Sequence, residues 1–198
     1  MDKKLQSYAE LIIKQGVNLR KGELVAIASP VMAAELAEAI AEEAYKNGAS
    51  KVMMMWGNSK INKLAYEYET MESLTEVPEH VVKGRDYILD RKGVYIALIS
   101  DIPGLLKDVD PVRVAERGRA MNKALARFRE STGINQTRWC LAAYPNEHWA
   151  KKMFPELSPE EALEKQWAYV QKTLRLDEED FLGAWKKHQE NLARRSNI

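Results

Sequence analysis

Four places in this 198-residue chain put chemically able side chains directly after an apolar run. They are Ser29-Pro30, Gly57-Asn58-Ser59-Lys60, Ser100-Asp101 and Pro145-Asn146-Glu147-His148. If the runs are parallel strands, these are the carboxyl ends, beyond which open α/β sheets bind their ligands. The hydroxyls and amide could hydrogen-bond a polar ligand, Asp101 could exchange a proton or pair with a cation, and Glu147-His148 could contribute to a metal site. Each also has a purely structural reading. Ser29 before a proline is a helix N-cap, and Asn58-Ser59 after Gly57 is turn and cap chemistry. Asp101 before Ile-Pro is a turn residue as well as the best lone functional candidate. Glu147 and His148, adjacent on a helix, would point about 100° apart, and no second histidine lies four residues away to share a metal.

The remaining reactive side chains are scattered. His80 stands among Glu79, Val81 and Val82 as a surface or half-buried helix residue, and His188 falls on an apolar stripe, where packing accounts for it. Cys140 lies inside an apolar run, where a thiol behaves as a small hydrophobe. One cysteine allows neither an internal disulfide nor a cysteine-based zinc cluster within the chain. Arg113, Arg117, Arg119, Lys123 and Arg127 could be taken for a phosphate or nucleic-acid surface, but they alternate with Glu116 and Glu130 as a solvated helix face does. The five tryptophans read first as core or domain-contact residues. The nucleotide-binding, metalloprotease and nucleophile-elbow signatures Gly-x-Gly-x-x-Gly, Gly-x-x-x-x-Gly-Lys-Ser/Thr, His-Glu-x-x-His and Gly-x-Ser-x-Gly are all missing. On residues alone there is no catalytic set and no metal set to assign.

The elements that must position these residues are plainer. Apolar residues make up 45% of the chain and charged residues 30%, which is a globular rather than a disordered composition. Runs at Glu23–Ser29, Lys51–Trp56, Gly93–Ser100 and Thr137–Tyr144 are apolar nearly throughout, the pattern of parallel strands covered on both faces. Helical segments separate them. The expected fold is therefore α/β: a parallel sheet of about four strands in one layer, helices on both faces, then two carboxy-terminal helices. Asn47-Gly48 should end the helix carrying Leu36, Ile40 and Ala44. Asp110-Pro111 should start one long helix with Val114, Met121, Leu125 and Phe128 inward, ending near Gly133. Ser158-Pro159-Glu160-Glu161 is a capping box, and Asp177 should cap a last helix whose stripe is Phe181, Trp185, His188 and Leu192.

Charge and hydropathy narrow the partners. Thirty Lys+Arg against 29 Asp+Glu leave a net charge of +1, too little for a nucleic-acid or anionic-membrane surface. The longest apolar runs are Val94–Ile99 and Trp139–Tyr144, whereas a transmembrane helix needs about 20 residues. The start Met1-Asp-Lys-Lys-Leu-Gln-Ser lacks the apolar core of a secretory signal. The expectation is one α/β domain over residues 1–198, cytoplasmic, with no nucleic-acid or membrane partner. The last helix runs through Asn191–Ile198 without a glycine or proline stop, as if a further domain should follow. On that expectation Trp167 and Trp185 stay incompletely buried.

Several segments, in order along nearly the whole chain, carry a resemblance. They are Tyr8-Ala-Glu-Leu-Ile-Ile-Lys-Gln-Gly-Val-Asn-Leu-Arg-Lys-Gly-Glu23, Glu42-Glu-Ala-Tyr-Lys-Asn-Gly-Ala-Ser-Lys-Val52 and Val109-Asp-Pro-Val-Arg-Val114. The same holds for Ala142-Ala-Tyr-Pro-Asn-Glu-His-Trp-Ala-Lys-Lys-Met-Phe-Pro155 and Glu160-Glu-Ala-Leu-Glu-Lys-Gln-Trp167. Together they resemble the amino-terminal half of the thermophilic metallo-aminopeptidases, the aminopeptidase T/S family M29. The resemblance implies peptide hydrolysis by two divalent metal ions of zinc or cobalt type. It places their Glu, His, Asp and Tyr ligands in a carboxy-terminal domain that this chain lacks. No metal ligand or catalytic residue is therefore carried over to any position here, and substrate-binding residues stay unassigned. Three isolated histidines cannot rebuild a pair of cations held about 3.5–4 Å apart. The implied role is a wall of the substrate cleft, packed against that second domain, with a homodimer as a further possibility. The alternative reading is a free-standing small-molecule-binding or regulatory α/β domain using the strand ends at Ser29, Asn58 and Asp101.

Overall fold

The computed structural model describes residues 2–196; Met1 and the final pair Asn197 and Ile198 lie outside the described residues, and with them the last two positions of the expected terminal helix. Four strands form one sheet: β1 (Leu24–Pro30), β2 (Lys51–Gly57), β3 (Val94–Ile99) and β4 (Trp139–Ala143). All pairings are parallel and the order is β2-β1-β3-β4. The chain thus moves from β1 outward to β2, then back across to β3 and β4. The reversal puts the switch point, where such sheets place their ligand crevice, between the carboxyl ends of β1 and β3.

Strand periodicity builds two cores. Val25, Ile27, Ile96 and Ala142 point to one face, where they meet α1 (Lys3–Leu11), a π-helical turn at Ile12–Gly16, and α2 (Ala34–Lys46). Trp167, Val170 and Leu174 of α9 (Pro159–Thr173) and its C-cap complete that side. Leu24 and Ala26 point the other way, toward Ile88 of α5 (Glu79–Asp90) and Phe128 of α7 (Ala126–Gly133). β1 is consequently sealed from both sides: Leu24 is 2% exposed, and Val25, Ala26 and Ile27 are 0% exposed. Burying each of its large aliphatic side chains contributes about 1.5–3 kcal/mol.

Several helix signals fall where the residue types place them. Asn58 caps α3 (Ser59–Tyr68) by accepting from the Lys60 and Ile61 amides. Asp110 caps α6 (Pro111–Ala124) with Pro111 at its first position. Ser158 and Glu161 form the reciprocal capping box of α9. Gly48 follows α2 with φ +84°, in the left-handed region that costs glycine least.

Four expectations are corrected. Ser29 caps no helix, because β1 continues through Pro30 and a 3₁₀ turn at Val31–Ala33 precedes α2; the buried Ser29 hydroxyl donates to the Pro30 carbonyl at 2.9 Å. The helix expected from Asp110 to Gly133 breaks at Leu125, whose φ of −100° and ψ of 21° leave the helical region; after the break Phe128 packs edge-on against Tyr95 at 5.0 Å. Three helices rather than two follow β4, since Asn146 caps the short α8 (Glu147–Met153) through the Trp149 amide. Asp180, not Asp177, receives the first-turn amide of α10 (Phe181–Ser196), from Gly183 at 2.9 Å.

Trp167 and Trp185 are both half-buried, as expected. Among described residues α10 buries none, whereas α2 buries five. α1 buries four and α9 two, whereas α3 and α6, like α10, bury none, so low burial is not confined to the last two helices.

The π-helical turn ends against β4 at a close approach. A Cβ on Gly16 would lie 2.8 Å from Cys140 Sγ and 3.2 Å from its Cβ. Gly16→Ala should cost about 1–3 kcal/mol by overpacking, measured by urea denaturation. In the Cys140→Ala background the cost should fall by about 1 kcal/mol, since the sulfur is then gone.

Candidate functional site

Asp101 and Ser59 are brought together. The loop after β3 and the first turns of α3 enclose a cleft of about 540 Å³ at the carboxyl edge of the sheet. Its lining includes Ser59, Asn62, Tyr66, Asp101, Pro103 and Lys107. Asn62 and Tyr66 were not singled out from sequence, although Ser59, Asn62 and Tyr66 are spaced three and four apart and so share one helix face. That polar stripe after a strand end was the available signal. The cleft offers one carboxylate, one ammonium, a phenol, an amide and a hydroxyl, a set that can hold and orient a polar chain by hydrogen bonds. No nucleophile–base pair is among its linings.

Neighbouring arginines tie α3, which forms one side of this cleft, and the helices beyond it to one another. Arg113 of α6 donates through Nε to the Tyr66 carbonyl at 2.5 Å and through Nη2 to the Glu69 carbonyl, tying α6 to the end of α3. Arg117 stacks over the Tyr66 ring at 5.2 Å. Arg127 bridges to Asp86 at 2.9 Å and to Asp90 at 2.6 Å on α5. The basic residues of this segment therefore do more than face solvent: Arg113 and Arg127 join elements. Arg119 pairs with Glu116 within α6.

On the other side of Asp101, Asn146 links two strand ends. Its amide nitrogen donates to Ser100 Oγ and to the Asp101 carbonyl, both at 3.0 Å, while its oxygen caps α8. Asn146 is 8% exposed. Glu147 and His148, one residue beyond, are both exposed. Ser29 opens onto a different pocket, shared with Met53, Met55 and Tyr95. The strand-end residues thus fall in separate places: Asp101 and Ser59 share the cleft, Ser29, Pro30 and Gly57 share the second pocket, and Asn146 joins Ser100 to Asp101.

The rest of the reactive side chains have structural surroundings. His188 meets Trp185 edge-on at 5.6 Å, and His80 is exposed at the start of α5. Burial pushes the Cys140 thiol pKa up, away from a reactive thiolate. Burial likewise raises Tyr8, whose hydroxyl donates to the Ala143 carbonyl at 3.0 Å. Tyr144 is pushed up to about 12, first by burial and then by the Glu35 carboxylate it donates to at 3.2 Å. Among the described residues no group of three or more His, Cys, Asp or Glu side chains converges as a metal site. The residues present do not fit a bridged metal pair. Among the described residues no helix is long and apolar enough to cross a membrane.

The model of the thermophilic metalloprotease (M29) family matches residues 1–198, and the chain belongs to that family. It is 32% identical over 193 residues to aminopeptidase 2 of Geobacillus stearothermophilus, covering 98% of this chain and 47% of that relative. It is 33% identical to aminopeptidase AmpS of Bacillus subtilis (strain 168), covering 96% and 46%. Among solved structures, wild-type AmpT from Thermus thermophilus superposes with a TM-score of 0.86 at 25% identity, over 96% of this chain and 46% of that one. The chain spans about half the length of the curated relatives it matches, and corresponds to their amino-terminal half.

Two outcomes follow from the polar links. Asn146→Ala removes a helix cap and two partly or fully buried hydrogen bonds, and should cost about 2–3 kcal/mol in urea denaturation. Tyr144, with its folded pKa above the free phenol's, contributes stability present below pH 10 and lost as pH rises from 10 toward 12. Tyr144→Phe should therefore flatten part of the alkaline fall in stability, followed by circular dichroism.

Proposed function

We propose that this chain is the amino-terminal scaffold domain, residues 1–198, of a metal-dependent aminopeptidase. Its cleft at Asp101 and Ser59 forms one wall of the peptide-binding groove. The observation that carries this reading is the family match over the whole chain at about half the length of its relatives. In the complete enzyme, two divalent ions of zinc or cobalt type would polarise the scissile carbonyl and supply hydroxide near neutral pH. Those ions would be held by a carboxy-terminal domain acting as the partner of this one, and no residue here is assigned a step in the chemistry. The working compartment in this reading is the cytoplasm and the substrate a peptide with a free amino terminus.

The cleft chemistry agrees with such a role. Asn62, Ser59 and Lys107 offer donors to the carbonyls of an extended peptide, and Asp101 offers a carboxylate to an amino group. The Arg113 link anchors the α3 side of the cleft to α6, and the Asn146 link anchors the Asp101 side to the start of α8.

Calorimetric titration of the 198-residue chain with zinc or cobalt tests the reading, with Glu147→Ala/His148→Ala as control. No tight binding and no hydrolysis of leucine p-nitroanilide are expected. Fusion to the carboxy-terminal half of the Bacillus subtilis relative should restore metal-dependent hydrolysis. Tight binding by the chain alone that disappears in the double variant would move the metal site into this domain and overturn the proposal.

A further inference from the structure

The second face of the sheet holds a pocket that neither the cleft nor the metal chemistry uses. It measures about 640 Å³ and shares no lining residue with the cleft at Asp101. Met53 and Met55 of β2 and Tyr95 and Ala97 of β3 line it from the sheet, and His80, Gly84 and Arg85 line it from α5. Ser29 and Pro30 lie at its upper end, so it reaches the switch point between β1 and β3. Its size is that of small-molecule sites, generally about 300–1,000 Å³.

Two features of α5 conflict with ordinary packing. Gly84 lies inside a helix, where glycine costs about 1 kcal/mol relative to alanine. Its φ is not positive, and a Cβ there would meet nothing within 4 Å. Neither backbone conformation nor crowding asks for glycine, and its missing side chain leaves the pocket open. Arg85 beside it carries a charge without a counter-charge. Its guanidinium lies 4.6 Å from the Tyr95 ring centroid and 5.1 Å from that of Phe128. Its Nη1 is sealed from water with no hydrogen-bond partner. No carboxylate among the described residues forms an ion pair with it; Asp86 and Asp90 on the same helix are taken by Arg127. A half-buried cation so placed is costly until an anion meets it.

We propose that this pocket binds a small organic carboxylate with an apolar body, such as an apolar amino acid or the carboxy-terminal end of a short apolar peptide. The guanidinium lines the pocket and packs 4.6 Å and 5.1 Å from two ring centroids, and its planar donors match a carboxylate. One cation on a floor of thioethers, alanine and a tyrosine ring suits a monoanion with a hydrocarbon flank. A phosphate dianion would require further cationic donors, and the pocket's only other basic lining residue is His80. Met53 and Met55 can adapt to differently shaped apolar bodies. The proposal is independent of the peptide-groove reading.

The test uses the full 198-residue chain and the matched probes N-acetyl-leucine and N-acetyl-leucinamide, which differ in the anionic group. Binding is followed by calorimetry and by backbone amide shifts, with Ala28, Gly57, Gly84 and Ala97 as reporters. The acid is expected to bind roughly tenfold or more tightly than the amide, and Arg85→Met to remove that difference. Arg85→Lys should restore part of it. Gly84→Met, which fills the space and suits a helix, should abolish binding of both probes while leaving the fold intact. Equal affinity for acid and amide, an Arg85→Met variant that still prefers the acid, or shifts that fall outside the reporters would each overturn the proposal.

Discussion

Burial of Leu24–Ile27 of β1 on both faces is the constraint on which the rest of the molecule depends. A strand whose residues alternate between two dry cores needs helices on each side, and parallel neighbours reached by crossovers are how a chain delivers them. Val25 and Ile27 demand α1 and α2; Leu24 and Ala26 demand α5 and α7. With β1 central, its neighbours must be added on two sides, and the change of direction leaves loops after β1 and β3 that diverge. Both openings described above sit where those loops and the loop after β2 part company.

The two faces meet this demand unequally. On the α1/α2 side, small residues let the helices close down on the sheet: Ala33, Ala37, Ala39 and Ala44 are all buried. On the α5/α7 side the buried cluster is only Leu24, Ala26, Ile88 and Phe128, all toward the amino ends of the strands. Above that level α5 presents Gly84 and Arg85 where a large apolar residue would have sealed the layer. Stability therefore rests chiefly on one face, and the other is free to keep space and charge.

Fold class was legible in the sequence because unbroken apolar runs and helix caps are local signals. Asn58, Asp110 and the Ser158/Glu161 box all act as their residue types indicate. Ser29 misled because a serine before proline suits both a cap and a strand end, and only pairing across to Trp56 and Gly57 decides between them. Asp177 misled because Asp180, three residues on, offers the same side chain. The cleft was half legible: Asp101 and Ser59 were visible as strand-end residues, but their proximity depends on the strand order. Arg85 carried no signal at all, since an unpaired guanidinium looks like any surface arginine until its neighbours are known.

The outer position of β2 has a consequence for solubility. Edge strands expose backbone groups that can pair with another molecule, and this one carries Val52-Met53-Met54-Met55-Trp56 with no charge between Lys51 and Lys60. The native chain answers part of the hazard with Tyr45, the penultimate residue of α2, whose hydroxyl accepts the Val52 amide at 3.2 Å. That phenol is itself 56% exposed. Fraying of the final turn of α2 would therefore do more than loosen a helix: it would uncover a thioether-rich, uncharged ribbon edge. Self-association should nucleate at this segment when the protein is heated or concentrated.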